Sequence, residues 1–313
     1  RPTDLAAHGG RLYWIVPGMF DGGDLLQANA DGSDLTTLTP ATPPTNPTDI
    51  LATDGAAYIV DQDRNNVLRL TPEDTSGQEI LAPRLVTAAD VALHSASGHM
   101  FWADPIHGLG RARSDGTSPE LWLPQAAGAN SLAIDQERGL IYWAMMEQGI
   151  FRATVEGDNV TTVVRSTDAR RVEPLYMALD ASSSTVYWMD RTGEVMRVPA
   201  DGGKPEAVAG GVGNPGPLAV DTTNGTLYWV DLGDSFDDVP AQIIRADLDG
   251  QNATPLPPTA TTFLADLEVD PMTGTLYWND TNLGTITRAD LDGRNEQVLT
   301  RSLPMVKGLA VQR

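Results

Sequence analysis

The chain has 313 residues, 41% of them hydrophobic and 20% charged, with 21 Lys and Arg against 42 Asp and Glu and a net charge of −21. That balance repels phosphate backbones and excludes nucleic acid as a natural partner, and no apolar run reaches the roughly 18 residues of a membrane-spanning helix. With no cysteine, disulfides, thiolate metal sites and cysteine nucleophiles are excluded.

In chain order, one aromatic strand recurs. Tyr13-Trp14 comes first, followed by Tyr58-Ile59, Phe101-Trp102, Tyr142-Trp143, Tyr187-Trp188, Tyr228-Trp229 and Tyr277-Trp278, at spacings of 45, 43, 41, 45, 41 and 49 residues. Of the seven Trp residues only Trp122 lies outside this register. Each pair sits in a longer frame. In the sixth copy Leu218-Ala219-Val220-Asp221 is followed by a turn at Asn224-Gly225, by Thr226-Leu227-Tyr228-Trp229-Val230-Asp231, and by Ile243-Ile244-Arg245-Ala246-Asp247 ending in Asp249-Gly250. The seventh repeats it with Leu267-Glu268-Val269-Asp270, Thr275-Leu276-Tyr277-Trp278-Asn279-Asp280 and Ile286-Thr287-Arg288-Ala289-Asp290-Leu291-Asp292-Gly293.

The frame predicts four short strands per repeat, joined by Asn-Gly and Asp-Gly hairpins that supply positive φ. Four strands in about 40–45 residues is one propeller blade. Side chains alternate across a strand, so Leu227 and Trp229 face one way and Tyr228 and Val230 the other. Both faces are apolar, and a blade sandwiched between two neighbours covers both. The prediction is an all-β chain, a single β-propeller domain over 1–313 with seven blades of four antiparallel strands. The repeats run about 4–46, 47–87, 88–128, 129–172, 173–215, 216–262 and 263–303, with 304–313 as a closing or extra strand. Two segments compete to close the ring: Pro2-Thr3-Asp4-Leu5-Ala6 and Lys307-Gly308-Leu309-Ala310-Val311 both match a first strand.

This pattern resembles the YWTD repeat of low-density-lipoprotein-receptor class B propellers, in a bacterial-type form with seven repeats, from Asp4 to about Thr300. It departs from the receptors in blade count, since theirs number six. The Thr of the motif is also replaced, by Ala103, Met189, Val230 or Asn279. The receptors' cysteine-rich flanking modules are missing, so their ligands are not carried over. The resemblance implies a secreted, periplasmic or cell-surface protein. Arg1, with neither Met nor an apolar segment before it, reads as the start of a mature or trimmed chain whose targeting segment is gone.

Ligand chemistry is expected at the end of the ring where second strands run into third strands and one blade into the next. Two such loops are long. The first copy has Pro17 to Asp24, with Phe20 beside Asp21 and Asp24, and the sixth has Asp231 to Pro240, with Phe236 beside Asp234, Asp237 and Asp238. Asp231, Asp234, Asp237 and Asp238 are oxygen donors of the kind Ca2+ takes, without EF-hand spacing; the other reading is a solvated acidic loop. The strand-ending carboxylates Asp61, Asp104, Asp190, Asp231 and Asp280 read first as turn caps and second as a ring that binds cations or sugar hydroxyls. His107, in Asp104-Pro105-Ile106-His107-Gly108, is the one histidine expected on this end and the candidate for acid–base work. Arg170 and Arg171 form the basic patch there and fit a carboxylate. No phosphate loop or nucleophile-elbow motif is present.

These residues point to a non-catalytic binding or scaffold propeller, a monomer that holds a protein or a small ligand such as a glycan. The alternative is a propeller enzyme, a lyase or hydrolase on a carbohydrate or ester, with its site at the channel mouth.

Overall fold

In the computed structural model each aromatic segment is the second strand of a four-stranded antiparallel sheet. The structure describes residues 11–16, 24–38, 45, 47–53, 56–61, 63–64, 66–71, 78–80, 89–167, 169–233, 239–257, 264–280, 282–300 and 308–311. Among them are seven such sheets and a single helical turn, Pro124–Ala126. The second strands are Arg11–Val16, Ala57–Asp61, His99–Asp104, Leu140–Met145, Thr185–Asp190, Thr226–Asp231 and Thr275–Asp280. The inner strands of blades 2 to 7 are Pro47–Ala52, Asp90–His94, Ala129–Asp135, Pro174–Asp180, Pro215–Asp221 and Leu264–Asp270. Neighbouring inner strands lie against one another around a ring.

Blade 1 settles the closure. Gly308–Val311 pairs antiparallel with Arg11–Val16, with Leu12 opposite Val311 and Trp14 opposite Leu309. It also lies against the inner strands of blades 7 and 2. The C-terminal segment therefore takes the first-strand position, and Pro2–Ala6 lies outside the described residues.

The core is not one mass but seven slabs, one per interface between blades. The strand alternation dictates this. Leu227 and Trp229 pack on blade 5 beside Tyr187 and Met189, whereas Tyr228 and Val230 pack on blade 7 beside Leu276 and Trp278. Each blade thus gives an indole to the blade before it and a phenol to the blade after it. In blade 2, Ile59 takes the indole's place, and in blade 3, Phe101 takes the phenol's.

Hydrogen bonds tie the slabs at their outer edge. The hydroxyls of Tyr58, Tyr187, Tyr228 and Tyr277 donate to the carbonyls of Ser114, Leu248, Leu291 and Ala30, each in the next blade. Arg197 and Arg288, directly opposite Tyr187 and Tyr277 on the third strand, donate to the same carbonyls of Leu248 and Ala30. That geometry accounts for the Arg of the Ile-x-Arg-Ala-Asp segment: the guanidinium and the phenol share one acceptor. In blade 3, where Phe101 has no hydroxyl, Arg111 alone reaches Val155 of the next blade at 3.2 Å.

Glycine is required where the turns press closest. Gly250 has φ +82°, and a Cβ there would stand 1.8 Å from the Val208 carbonyl oxygen of the preceding blade. Gly110 faces Trp102 across the sheet, and the indole lies where a Cβ would be, 2.1 Å away.

Candidate functional site

The strand-ending carboxylates are turn caps. Asp231 accepts the backbone N–H groups of Gly213, Asn214 and Gly233. Asp280 accepts those of Asn282 and Leu283. Asp190 accepts Glu173 N–H, Thr192 N–H and the Trp188 indole N–H. Asp61 accepts Thr45 N–H at 2.8 Å. A carboxylate is the natural residue here, because several orphan N–H groups at each turn need a strong acceptor.

A second tier of carboxylates binds blade to blade. Asp49 and Asp90 are almost wholly buried near the start of their inner strands. Asp49 accepts the Val91 N–H at 2.7 Å, and Asp90 accepts the Leu132 N–H at 2.7 Å, each from the next inner strand. At the opposite end Asp135, Asp180, Asp221 and Asp270 cap the first hairpins. Burial pushes the Asp180 carboxyl up, but hydrogen bonds from Ser182 and Ser183 outweigh it and hold the group below its ordinary value.

One cap carries more than structure. Asp104 Oδ1 accepts the N–H groups of Ile106 and His107, and Oδ2 lies 3.2 Å from His107 Nδ1. The carboxylate is buried, while the imidazole is 23% exposed. A carboxylate on Nδ1 fixes the tautomer and leaves Nε2 as the ring's remaining nitrogen for proton exchange.

The remaining candidates do not gather around this pair. Arg170 turns to blade 5 and donates to the Pro205 carbonyl and the Met196 sulfur. Arg171 stays exposed, with Glu147 and Glu173 at 3.9 and 3.8 Å. Among the described residues no hydrogen bond or ion pair joins His107, Arg170, Arg171 and Asp231 to one another. Asp24 opens the third strand of blade 1, opposite Val16. Phe20, Asp21, Asp234, Phe236, Asp237 and Asp238 lie outside the described residues. No group of three or more His, Asp or Glu among the described residues is placed to hold a metal ion.

Two features were not singled out from the sequence. The first is a set of apolar tips on the end of the ring that carries the second-to-third-strand loops. Ile106 is 56% exposed, Val239 48% and Leu283 46%, one each from blades 3, 6 and 7. The signal was available, since each lies in a loop between a capping Asp and the next strand.

The second is the central channel, a cavity of about 910 Å³ walled by the inner strands of blades 2 to 7. Its lining begins just past the level of Asp49 and Asp90. It runs to the first hairpins, where Thr53, Ser95, Gln136, Ser182 and Thr222 form the rim. Among the described residues it therefore opens on the end opposite His107. The walls are aliphatic with one departure: Glu268, 9% exposed, lines the channel in blade 7. Ala92, Ala133, Ala178 and Ala219 hold the same place in blades 3 to 6, and Leu51 in blade 2. Lining up the repeats reveals the odd residue. Only the ring shows that it faces a cavity.

Neither protein-family models nor curated proteins match this chain. Solved structures do, at low identity. A chain of a nidogen/laminin complex matches with a TM-score of 0.59 and 16% identity, over 84% of this chain and 97% of that one. A streptogramin B lyase matches with a TM-score of 0.68 and 14% identity, over 87% and 89%. A putative 6-phosphogluconolactonase from Bacteroides uniformis matches with a TM-score of 0.65 and 13% identity, over 96% and 99%. At such identities the likeness is one of fold, and these propeller neighbours include both a protein-complex component and proteins named as enzymes.

Proposed function

We propose that this chain is an extracytoplasmic binding propeller that docks a protein partner on the loop end of its ring without catalysing a reaction. The observation that carries the reading is the trio of exposed apolar tips, Ile106, Val239 and Leu283, on one end of the molecule. Apolar side chains held at loop tips, with charged groups such as Arg171 and Glu147 nearby, have the make-up of an interface core with a polar rim. The nidogen/laminin neighbour is a propeller found in a protein complex, and the YWTD resemblance supports an extracytoplasmic setting. Phe20 and Phe236 belong to the same loop set by sequence, and Asp231, Asp234, Asp237 and Asp238 are its Ca2+ candidates.

The test is co-purification from the extracytoplasmic fraction of the source cells. Bait proteins are the wild type, a triple variant Ile106→Asp, Val239→Asp and Leu283→Asp, and Met272→Asp, an exposed apolar position at a first hairpin on the other end. The same partner held by wild type and Met272→Asp but lost by the triple variant is the expected result. Equal capture by all three overturns the reading. Repeating the capture in EDTA tests the Ca2+ candidates.

A second reading, an enzyme acting on a carbohydrate or ester, is favoured by the Asp104–His107 pair. Under it, His107→Ala removes turnover of a model ester or lactone. Turnover that survives the substitution removes His107 from consideration.

A further inference from the structure

We propose that the central channel is a binding site for an aliphatic amine in its ammonium form, held by Glu268. This concerns the end of the ring away from the proposed docking face, and it stands or falls separately.

The argument begins with the repeat. Five blades place Ala or Leu where blade 7 places Glu268. The alternation that sends Tyr277 toward blade 1 sends its cross-strand partner Glu268 the same way, at the inner edge of the sheet. Nothing in the packing of a blade calls for a carboxylate there, because the neighbouring copies fill the position with a methyl or isobutyl group. Putting a carboxylate among Leu, Val and Ala removes it from water, and a low-dielectric wall makes that costly unless a positive charge compensates.

The cavity supplies the other half. Its volume of about 910 Å³ lies within the range of ligand pockets, which are mostly apolar with a few placed polar groups. The described lining contains two ionisable residues, Glu268 inside and Glu137 at the rim, and no Lys, Arg or His. With the chain at −21 overall, the field in the channel is negative along its length and low-dielectric walls concentrate it. A ligand that suits both features has a cationic head and an aliphatic body. An ammonium N–H donates a charge-assisted bond to the Glu268 carboxylate, and the alkyl chain lies against Leu132, Leu179, Val220 and Val269, which line the walls. No aromatic ring appears in the described lining, so the carboxylate rather than a cation–π cage selects the charge. A divalent metal fits less well, because it needs several oxygen ligands at once and Glu268 is the single carboxylate within the walls.

Calorimetric titration of the purified chain at neutral pH and low salt tests this with four probes: n-butylamine, 1-butanol, butyrate and CaCl2. Butylamine is expected to bind saturably at one site and to raise the melting temperature by mass action. Butanol, of the same length but neutral, is expected to bind at least about tenfold more weakly, the usual weight of a hydrogen bond to a charged group. Butyrate is expected not to bind. Glu268→Gln, which keeps the shape and removes the charge, is expected to weaken butylamine by about tenfold or more. Equal affinity for butylamine and butanol overturns the proposal, as does full affinity in Glu268→Gln. A CaCl2 response lost in Glu268→Gln overturns it in favour of a metal site. The butylamine–butanol contrast is read on the wild type, so it decides even if the variant does not fold.

Discussion

At the scale of single residues, the tyrosine hydroxyls carry a consequence for pH. Burial pushes Tyr228 up to about 12, against the pull of Arg245, and burial also raises Tyr142, Tyr187 and Tyr277. In an unfolded chain these phenols ionise near pH 10. The stability they contribute is therefore complete below about pH 10 and is lost as the pH climbs through 12. The melting temperature is expected to hold up to about pH 10 and to fall steeply from there, with tyrosinate absorbance at 295 nm rising in the same step. Tyr228→Phe is expected to cost about 1 kcal/mol at pH 7, the hydrogen bond to Leu291 being lost. A melting temperature unchanged at pH 12 would contradict the burial argument. The aromatic pairs were legible from sequence because their period is long and specific. What the hydroxyls bond to was not, because every acceptor lies in another blade.

At the scale of elements, neighbouring inner strands that pack around the channel are also tied through side chains, Asp49 to Val91 and Asp90 to Leu132. Replacing either carboxylate by Ala leaves a buried N–H group without its acceptor, and about 1–3 kcal/mol of unfolding free energy should go with it. Asp249→Ala serves as the control. Its carboxylate caps an exposed turn at Gln251 and should cost about 1 kcal/mol or less. Urea unfolding measures both. Equal losses at all three positions would mean that the inter-strand bonds add nothing beyond a turn cap. The strand-ending Asp residues were readable as caps because the repeat places them before a turn. The inner tier was not, since Asp49 and Asp90 precede ordinary aliphatic runs and their acceptor role appears only when two blades meet. Glu268 escaped for the same reason: along the chain it is one polar residue in a strand, and across the ring it is the charged member of an aliphatic wall.

At the scale of the whole molecule, seven slabs in a ring depend on one another. Removing 308–313 leaves Arg11–Val16 with an open edge and withdraws a strand from the interfaces with both blade 7 and blade 2. The truncated chain is expected to melt well below the full chain and to do so over a broader range, since a broken ring has ends from which it can fray. A differential scanning trace that is unshifted and equally sharp would contradict this. Blade number was legible by counting motifs. Which terminus completes blade 1 was not, because Pro2-Thr3-Asp4 and Lys307-Gly308-Leu309 satisfy the same local pattern. The choice depends on an edge nearly a whole chain away.

That closure also sets an order in time. A ribosome makes Arg11–Val16 near the start and Gly308–Val311 near the end, so at roughly 5–20 residues per second the first blade waits on the order of tens of seconds for its last strand. Throughout that wait the row of backbone groups on Arg11–Val16 that Gly308–Val311 will pair lacks this partner, and such a row can recruit a foreign strand. The same bond that makes the finished ring endless makes the nascent chain, for most of its synthesis, a target for chaperones or for its own neighbours on the polysome.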